Sequence, residues 1–193
     1  MPRTTPYADG VPAPSVGTLP WRPALDHLDL LAGPTAAAVG AADDAWAADC
    51  WVAPISDDLA DTAAFCAAYE VPLEASANCV VVSGRRAETT TLAACLVLAT
   101  DRADVNKAVR HQLGARKISF APMDEATERS SMAYGGITPV GLPSEWPVLV
   151  DDAVVAQPWV VVGSGTRGSK LLLPGARVAE LPGAHVMLLR QVG

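Results

Sequence analysis

The segment Tyr134–Pro143 reads YGGITPVGLP and lies between two apolar segments of the chain. Its paired glycines can adopt positive φ and allow another group to approach the backbone closely. Pro139 fixes its own φ and removes one donor, so the loop is stiff as well as open. Such a loop can aim backbone N–H groups at a ligand oxygen, although glycine and proline also mark ordinary tight turns. The loop by itself therefore leaves a ligand site and a turn as alternatives.

The composition indicates one folded domain with an acidic balance. Half of the 193 residues are hydrophobic, 18% are charged, and the formal net charge is −7. A negative chain lacks the basic face that sequence-independent binding to DNA or to long RNA requires, but it can still contact one end of an RNA. No apolar run reaches the ~18 residues of a membrane span, and no apolar segment follows Arg3 as in a secretory signal. We therefore expect a cytoplasmic protein with no DNA or membrane partner.

The thiols and histidines do not form a metal-binding pattern. The four cysteines lie in apolar contexts without a C-x-x-C pair, and they are Cys50, Cys66, Cys79 and Cys95. This arrangement favours buried, reduced thiols over zinc ligands or disulfides. The histidines and the acidic pairs are scattered, so we expect no metal and no cofactor.

The chain divides into a proline-rich arm and one domain. Residues 1–23 contain six prolines, which predicts an extended or mobile arm, and residues 24–193 are expected to form a single domain. The alanine-rich residues 24–48 predict one helix or two short ones, with a low-complexity linker as the alternative.

Beyond this region, helices and strands mix without strict βαβ alternation. Ser56 is a candidate N-cap for a helix that runs to about Tyr69. Thr100 and Pro122 are expected to open two further helices. Strands are expected at residues 77–83, 92–99, 117–120, 148–150, 159–163, 170–173 and 185–189. The pattern predicts an α+β fold with a mixed, barrel-like β-sheet surrounded by helices.

Two shorter motifs match known patterns only in part. Gly163–Lys170 reads GSGTRGSK, but a phosphate-binding P-loop ends in Gly-Lys-Ser/Thr, so a hairpin turn that carries Arg167 and Lys170 is the plainer interpretation. The G-x-S-x-G pattern of serine hydrolases does not occur. The basic dipeptides Arg85–Arg86 and Arg116–Lys117 fit either solvated surface or contacts with nucleic acid.

Taken in order, five segments resemble the YbaK/ProX family, which includes the editing domain inserted in bacterial prolyl-tRNA synthetases. The resemblance runs from about Asp57 to His185. It rests on FCAAYEVPLEASANCVVV, LVLATDRADVNKAVRHQLGARKISFAPMDEATERSS, YGGITPVG, the strand end Val150–Asp151, and GSGTRGSKLLL. It implies a YbaK-like domain that hydrolyses the ester between a small mischarged amino acid and the 3′ end of tRNA, and thereby maintains translation fidelity. An aminoacyl-tRNA synthetase is a further partner that the resemblance suggests.

The resemblance also implies the site residues. Ester hydrolysis needs a held water and donors aimed at the developing oxyanion. The glycine loop would supply backbone donors from its catalytic positions, which are Gly135, Gly136, Ile137 and Thr138. The positions implied to bind substrate are Asn78, Pro139, Asp151, Ser164 and Gly165.

One position departs from the family pattern. The family usually has a lysine, in a K-T-L pattern, where this chain has Asn78 followed by Cys79 and Val80. Asparagine keeps hydrogen-bond donors but loses the positive charge. Two hypotheses follow from this change. The chain is an active deacylase in which Arg85, Arg86 or Lys170 supplies a cation, or it is a catalytically weakened binding module that keeps the aminoacyl-adenosine pocket.

Overall fold

The computed structural model describes residues 13–192, and its strands form two sheets. The strands of the first sheet are β1 (Arg22–Pro23), β2 (Trp51–Pro54), β7 (Val160–Gly163) and β8 (Ser169–Leu173). They lie in the order β1-β2-β8-β7, and every neighbouring pair is antiparallel.

The second sheet is larger and mixed. Its strands are β3 (Ala77–Arg86), β4 (Thr89–Leu98), β5 (Lys117–Phe120), β6 (Val148–Asp151) and β9 (Ala184–Met187). They lie in the order β5-β3-β4-β6-β9, with β3 antiparallel to both β4 and β5 and with β6 parallel to both β4 and β9. An isolated bridge between Ser76 and Val161 joins the two sheets. The predicted α+β class with a mixed sheet is confirmed, although the strands form two sheets and not one barrel.

Short helices connect the strands. They are α1 (Gly33–Ala41), α2 (Asp44–Ala48), α3 (Thr62–Tyr69), α4 (Arg110–Gln112), α5 (Met123–Ser130), α6 (Asp152–Val155) and α7 (Gly175–Val178). The 3₁₀ turns are Ala24–Leu30, Asp57–Leu59 and Leu73–Ala75, and a π-helical turn, Val105–Val109, precedes α4. The alanine-rich region therefore contains two short helices and is not a linker. Across residues 13–192, no helix has the length and apolar character needed to cross a membrane.

Two helices begin later than the sequence predicted. Asp61, and not Ser56, caps α3: its Oδ1 accepts the N–H groups of Ala63 at 3.0 Å and Ala64 at 3.3 Å. Ser56 instead precedes a separate 3₁₀ turn and makes no side-chain cap. Likewise, Asp104 caps the turn before α4 by accepting the N–H of Lys107 at 3.1 Å. Aspartate and serine are about equally good N-caps, so sequence alone does not rank such neighbouring candidates.

Residues 19–23 of the predicted arm pack against the domain. Leu19 and Trp21 are buried, and Trp21 Nε1 donates to the carbonyl of Val16 at 2.8 Å. The pair Arg22–Pro23 adds to β2 as the edge strand β1. The part of the predicted arm at residues 1–12 lies outside the described residues.

Both sheets contribute to one apolar core. Val52 and Leu171 of the first sheet share a buried cluster with Leu96 and Val150 of the second. Burial of such side chains stabilises each by about 1.5–3 kcal/mol. The shared core therefore fixes β3 beside β7.

Candidate functional site

A cavity of about 580 Å³ lies where β3, the start of α3, β8 and the glycine loop meet. This volume falls within the range of about 300–1,000 Å³ that is common for small-molecule sites. The polar and backbone groups of its wall come from Asp61, Thr62, Asn78, Gly135, Ile137 and Lys170. The cavity thus combines the predicted glycine loop with Lys170, the last residue of the GSGTRGSK segment.

The glycine loop is held against the hairpin between β7 and β8. The N–H of Gly136 donates to the carbonyl of Ala133 at 2.9 Å, and the carbonyl of Gly136 accepts the N–H of Gly165 at 2.7 Å. A Cβ added at Gly136 would overlap the carbonyl of Thr166. Gly135 has φ of +79°, a conformation that glycine adopts without strain. Gly135 is therefore required by its positive φ, and Gly136 is required by the close approach of the loop to Thr166.

Two of the four predicted catalytic positions line the cavity. These are Gly135 and Ile137, whose N–H groups donate to no acceptor within residues 13–192. The N–H of Gly136 is already used inside the loop. Thr138 is fully buried, and its hydroxyl accepts the N–H of Val140 at 3.5 Å. Among the four predicted positions, Gly135 and Ile137 are thus the two that line the cavity and have N–H groups without an acceptor in the described chain.

Asn78 lies in the cavity wall, and its contact with substrate stays a prediction. Its Oδ1 accepts the hydroxyl of Thr62 at 2.6 Å. The amide nitrogen carries two further donors, and no acceptor in the described chain receives them. Asn78 therefore presents neutral donors in the cavity.

Lys170 brings a positive charge into the same cavity. Its side chain enters from β8, is only 7% exposed, and lies with Nζ 5.0 Å from the ring centroid of Phe65. Nζ donates to the carbonyl of Ala60 at 2.9 Å, which is its one protein acceptor among the described residues. An ammonium has three donors, so two are available to a ligand.

The surroundings of Lys170 shift its pKa in opposite directions. Burial is the largest influence and lowers the pKa of Lys170, while the neighbouring Cys66 and Asp61 act to raise it. Arg167 adds a smaller lowering effect on this pKa. Asp61 is not within ion-pair distance of Lys170, so the cavity wall contains a carboxylate and an ammonium that do not neutralise each other directly.

Lys170 and the glycine loop are parts of one wall. Lys170 is paired with Gly163 across β7 and β8. A Cβ at Gly163 would overlap the carbonyl of Gly136 and lie 2.7 Å from that of Ile137, so only glycine lets the loop approach β7. Register and glycine spacing together place the ammonium beside the loop.

Arg167 fixes the start of the loop. Its guanidinium donates to the carbonyl of Tyr134 at 3.2 Å and to the carbonyl of Asp57 at 2.8 Å. One side chain therefore joins the glycine loop to the segment that precedes α3. These contacts position both sides of the cavity.

The other predicted substrate-binding residues lie outside this cavity wall. Ser164 Oγ hydrogen-bonds Ser169 Oγ at 2.7 Å and the carbonyl of Ser169 at 2.9 Å. Gly165 holds the loop through Gly136, and Pro139 lines a separate apolar groove beside α1 and α2. Their direct contact with substrate stays a prediction. The described contacts of Ser164 shape the turn between β7 and β8, and Gly165 holds the glycine loop.

Asp151 ties β6 to the C-terminal segment. Its buried carboxylate accepts the N–H groups of Ala153, Leu189 and Arg190 at 2.8–2.9 Å, and it also pairs with the guanidinium of Arg190. Burial, the largest influence, acts to raise the pKa of Asp151, but these hydrogen bonds together lower it. A substrate contact at Asp151 would have to displace one of these bonds.

Three large apolar side chains surround the cavity opening. Phe120 and Tyr134 are each 64% exposed, and Met123 is 54% exposed, although all three line the cavity. Burial of such side chains against protein is normally favourable, so their exposure at one opening suggests a ligand surface.

The thiols are not activated. Burial raises the pKa of Cys50 and of Cys95 to about 12, with Asp49 as a second influence on Cys50. Burial also raises the pKa of Cys66 and of Cys79, the thiol in the cavity wall. Thiolate is the nucleophilic form, so these cysteines are poor nucleophiles at neutral pH. Within residues 13–192, no group of three or more His, Cys, Asp or Glu could hold a metal ion.

Comparison with protein families assigns this architecture. The family model for the aminoacyl-tRNA editing domain matches residues 56–181, which is more than half of the chain. The chain therefore belongs to the aminoacyl-tRNA editing domain family. A search of curated proteins returned no match.

Solved structures show the same fold. One is a proposed trans-editing enzyme for prolyl tRNA synthetase, with a TM-score of 0.67 and 22% identity over 83% of this chain and 99% of that one. Another is a hypothetical protein, APE2540, with a TM-score of 0.67 and 19% identity over 76% of this chain and 95% of that one. At these identities the likeness concerns the fold alone.

Proposed function

We propose that this chain is an aminoacyl-tRNA deacylase that releases a small amino acid from the 3′ end of tRNA. The observation that carries the proposal is the shared cavity wall, in which two backbone N–H donors of the glycine loop lie beside the buried ammonium of Lys170. Membership of the editing-domain family supports the substrate class.

The reaction is an ester hydrolysis. The oxygen of water bonds to the carbonyl carbon, the bond between that carbon and the ribose oxygen breaks, and the proton from water goes to the ribose oxygen. Negative charge develops on the carbonyl oxygen, which the N–H groups of Gly135 and Ile137 would stabilise. One such donor is worth about 3 kcal/mol of barrier.

Lys170 would bind an oxygen of the substrate through its remaining N–H donors. A hydrogen bond from a charged donor is about twice as strong as a neutral one, and the water-poor surroundings of Lys170 strengthen it further. Lys170 thus supplies the charge that Asn78 lacks, from a different strand. A cation at this place answers the objection that Asn78 raises against an active enzyme.

Asp61 would receive the α-ammonium group of the amino acid. Its Oδ1 caps α3, and the carboxylate lies in the cavity wall without an ion-pair partner among the described residues. An aminoacyl ester has a cationic amine at one end and a carbonyl next to it. Asp61 and Lys170 offer matching charges in one cavity.

The exposed side chains at the opening suit the terminal adenosine. Phe120 and Tyr134 present aromatic faces, and stacking of a base on such a face contributes about 1–3 kcal/mol. Stacking is also independent of the net charge of −7, so it can hold the terminal base on an acidic protein.

Membership of the editing-domain family supports an amino acid as the group that is removed. We propose alanine, cysteine or serine as the amino acid that is removed. We also propose that the chain edits in trans in the cytoplasm, with an aminoacyl-tRNA synthetase as its partner. A solved relative carries the description of a proposed trans-editing enzyme for prolyl tRNA synthetase, which supports this partner class.

The test measures release of labelled amino acid from alanyl-, cysteinyl- and seryl-tRNA by the purified chain. Multiple turnovers on at least one of these substrates would support the proposal. Calorimetric binding of a non-hydrolysable, amide-linked aminoacyl-adenosine without any turnover would instead favour the binding module. If the chain showed no turnover and no binding, both the deacylase and the binding-module hypotheses would be overturned.

A further inference from the structure

Four cations gather at one edge of the second sheet. Arg85 and Arg86 end β3, and Lys117 begins β5 immediately after Arg116. Arg85 lies directly opposite Lys117 in the antiparallel pair of β3 and β5, and all four side chains are exposed. We refer to Arg85, Arg86, Arg116 and Lys117 as the basic edge.

The charge of the basic edge contrasts with that of the whole chain. The segments 83–91 and 114–120 contain these four cations and one carboxylate, Glu88, while the chain as a whole carries −7. No ion pair of the described residues includes any of the four. Arg85 Nε donates only to the backbone carbonyl of Ala87, at 3.2 Å. Four adjacent cations without carboxylate partners favour an anionic ligand.

The basic edge lies along β5 from the cavity opening. β5 begins at Lys117 and ends at Phe120, which stands at the cavity opening. At about 3.3 Å per residue, the first cation of β5 is roughly 10 Å from that opening. A ligand whose end occupies the cavity can therefore reach the basic edge with its next segment.

We propose that the basic edge binds backbone phosphates of the duplex stem next to the 3′ end of tRNA. This inference rests on the proposed function for the position of the 3′ end, while RNA binding by the edge is measurable without catalysis. Arginine and lysine contacts to phosphate fix the position and direction of a nucleic acid without reading its sequence. The acidic remainder of the protein repels RNA, so contact is confined to this edge and the cavity.

Protection of an open sheet edge does not explain the whole cluster. β5 is the edge strand of its sheet, and a charged residue such as Lys117 hinders pairing with a second chain. That role needs one charge on β5, whereas Arg85 lies on β3, the strand inside it, and Arg86 lies beyond the last residue that β5 pairs with. Edge protection does not account for these two arginines.

The test uses the double variant Arg85→Glu, Lys117→Glu. These two residues face each other directly, so their side chains lie on the same face of the sheet. We would measure the binding of an RNA hairpin that ends in CCA and carries no amino acid, by fluorescence anisotropy at 50–200 mM salt. We expect at least tenfold weaker binding at low salt and a salt slope that is smaller by about 2, one for each lost phosphate contact.

A second readout separates the stem from the 3′ end. Hydrolysis of a short aminoacylated CCA trinucleotide, which has no stem, should be unchanged in the variant, whereas kcat/KM on full aminoacyl-tRNA should fall. The matched control is Arg102→Glu, an exposed arginine beyond the opposite end of β4, roughly 30 Å away by strand length. We expect this control to bind the hairpin as the wild type does.

Several results would overturn the inference. These are no binding of the hairpin by the wild type, an unchanged affinity and salt slope in the variant, or equal binding of an unpaired oligonucleotide of the same length. If kcat/KM fell equally on the aminoacylated trinucleotide and on full aminoacyl-tRNA, a role confined to the stem would also be contradicted. If the chain proves not to be a deacylase, the hairpin measurements still decide whether the basic edge binds RNA.

Discussion

Replacement of Lys170 by methionine tests the cation of the cavity. Methionine keeps an unbranched apolar stem of similar length and removes the ammonium. Lys170 Nζ makes one protein hydrogen bond, to the carbonyl of Ala60 at 2.9 Å, and is 7% exposed. Its remaining donors are the ones that we assign to the substrate.

The expected effect follows from the strength of such a bond. A hydrogen bond from a charged donor contributes about 1.5–3 kcal/mol, and about 1.4 kcal/mol corresponds to a tenfold change. We therefore expect Lys170→Met to lower kcat/KM for deacylation by roughly 10- to 100-fold. The free energy of unfolding should change by less, about 1 kcal/mol, because the lost desolvation cost of the ammonium offsets the unpaired carbonyl of Ala60.

The assay is release of labelled amino acid from aminoacyl-tRNA under kcat/KM conditions, with urea unfolding of each variant. Lys107→Met is the matched control, because Lys107 is an exposed lysine on the turn before α4. Burial lowers the pKa of Lys170, so the charged form is present below that pKa and lost above it. After subtraction of uncatalysed hydrolysis, activity should fall at alkaline pH with a midpoint below that of an ordinary lysine. A stable Lys170→Met variant with wild-type kcat/KM and pH profile would refute the reasoning.

Three other changes test the surroundings of the cavity. In Gly136→Ala, the added Cβ overlaps the carbonyl of Thr166, so we expect displacement of the loop and at least tenfold loss of kcat/KM; Gly33→Ala has open space around its Cβ and should be active. In Asp61→Asn the helix cap is kept because asparagine caps as well as aspartate, so a several-fold rise in KM with unchanged unfolding would report the lost charge, and an unchanged KM would exclude the contact with the α-ammonium. In Asp151→Asn we expect a loss of stability on the order of 2 kcal/mol near pH 7, since the amide nitrogen cannot accept the N–H groups that a carboxylate oxygen of Asp151 accepts. The pKa of Asp151 is lowered in the folded state, so its contribution is present above the unfolded pKa of about 3.9 and is lost as pH falls through the folded pKa. Urea unfolding at pH 7 and below pH 4 should therefore show a difference that shrinks on acidification.

The glycine loop and most strands were predictable because their signals are local. The spacing of Gly135, Gly136 and Pro139 marks the loop directly, and the apolar runs of β3 and β4 mark buried strands. The α+β class followed from the order of these elements. Each of these signals depends on neighbouring residues alone.

The sequence offered Lys170 as one of three candidate cations but could not choose among them. Its place in the cavity is set by the pairing of β8 with β2, by Phe65 of α3, and by the carbonyl of Ala60, all distant in sequence. The available signal was a lysine at the start of the buried strand SKLLL, where a charged residue needs a reason. Asp151 depends likewise on Arg190, a residue 39 positions later. Such long-range partners decide which polar residues face the cavity and which hold the fold.

The most direct test of the relation between Asn78 and Lys170 is a pair of substitutions. Both residues line the cavity, one from β3 and one from β8. Asn78→Lys alone would place two ammonium groups in one partly enclosed space, where like charges repel strongly. We expect this single variant to lower the pKa of Lys170 further and to gain no activity.

The double variant Asn78→Lys, Lys170→Met moves the cation from β8 to β3 without changing the charge of the cavity. If the site needs one positive charge and accepts it from either strand, the double variant should recover at least tenfold of the kcat/KM lost in Lys170→Met. The comparison of all four proteins in deacylation assays gives this coupling directly. Additive losses would instead show that the geometry of Lys170 on β8, and not its charge alone, is what the substrate requires. In that case substrate binding would depend on where the cation lies on β8, and a lysine on β3 could not replace it.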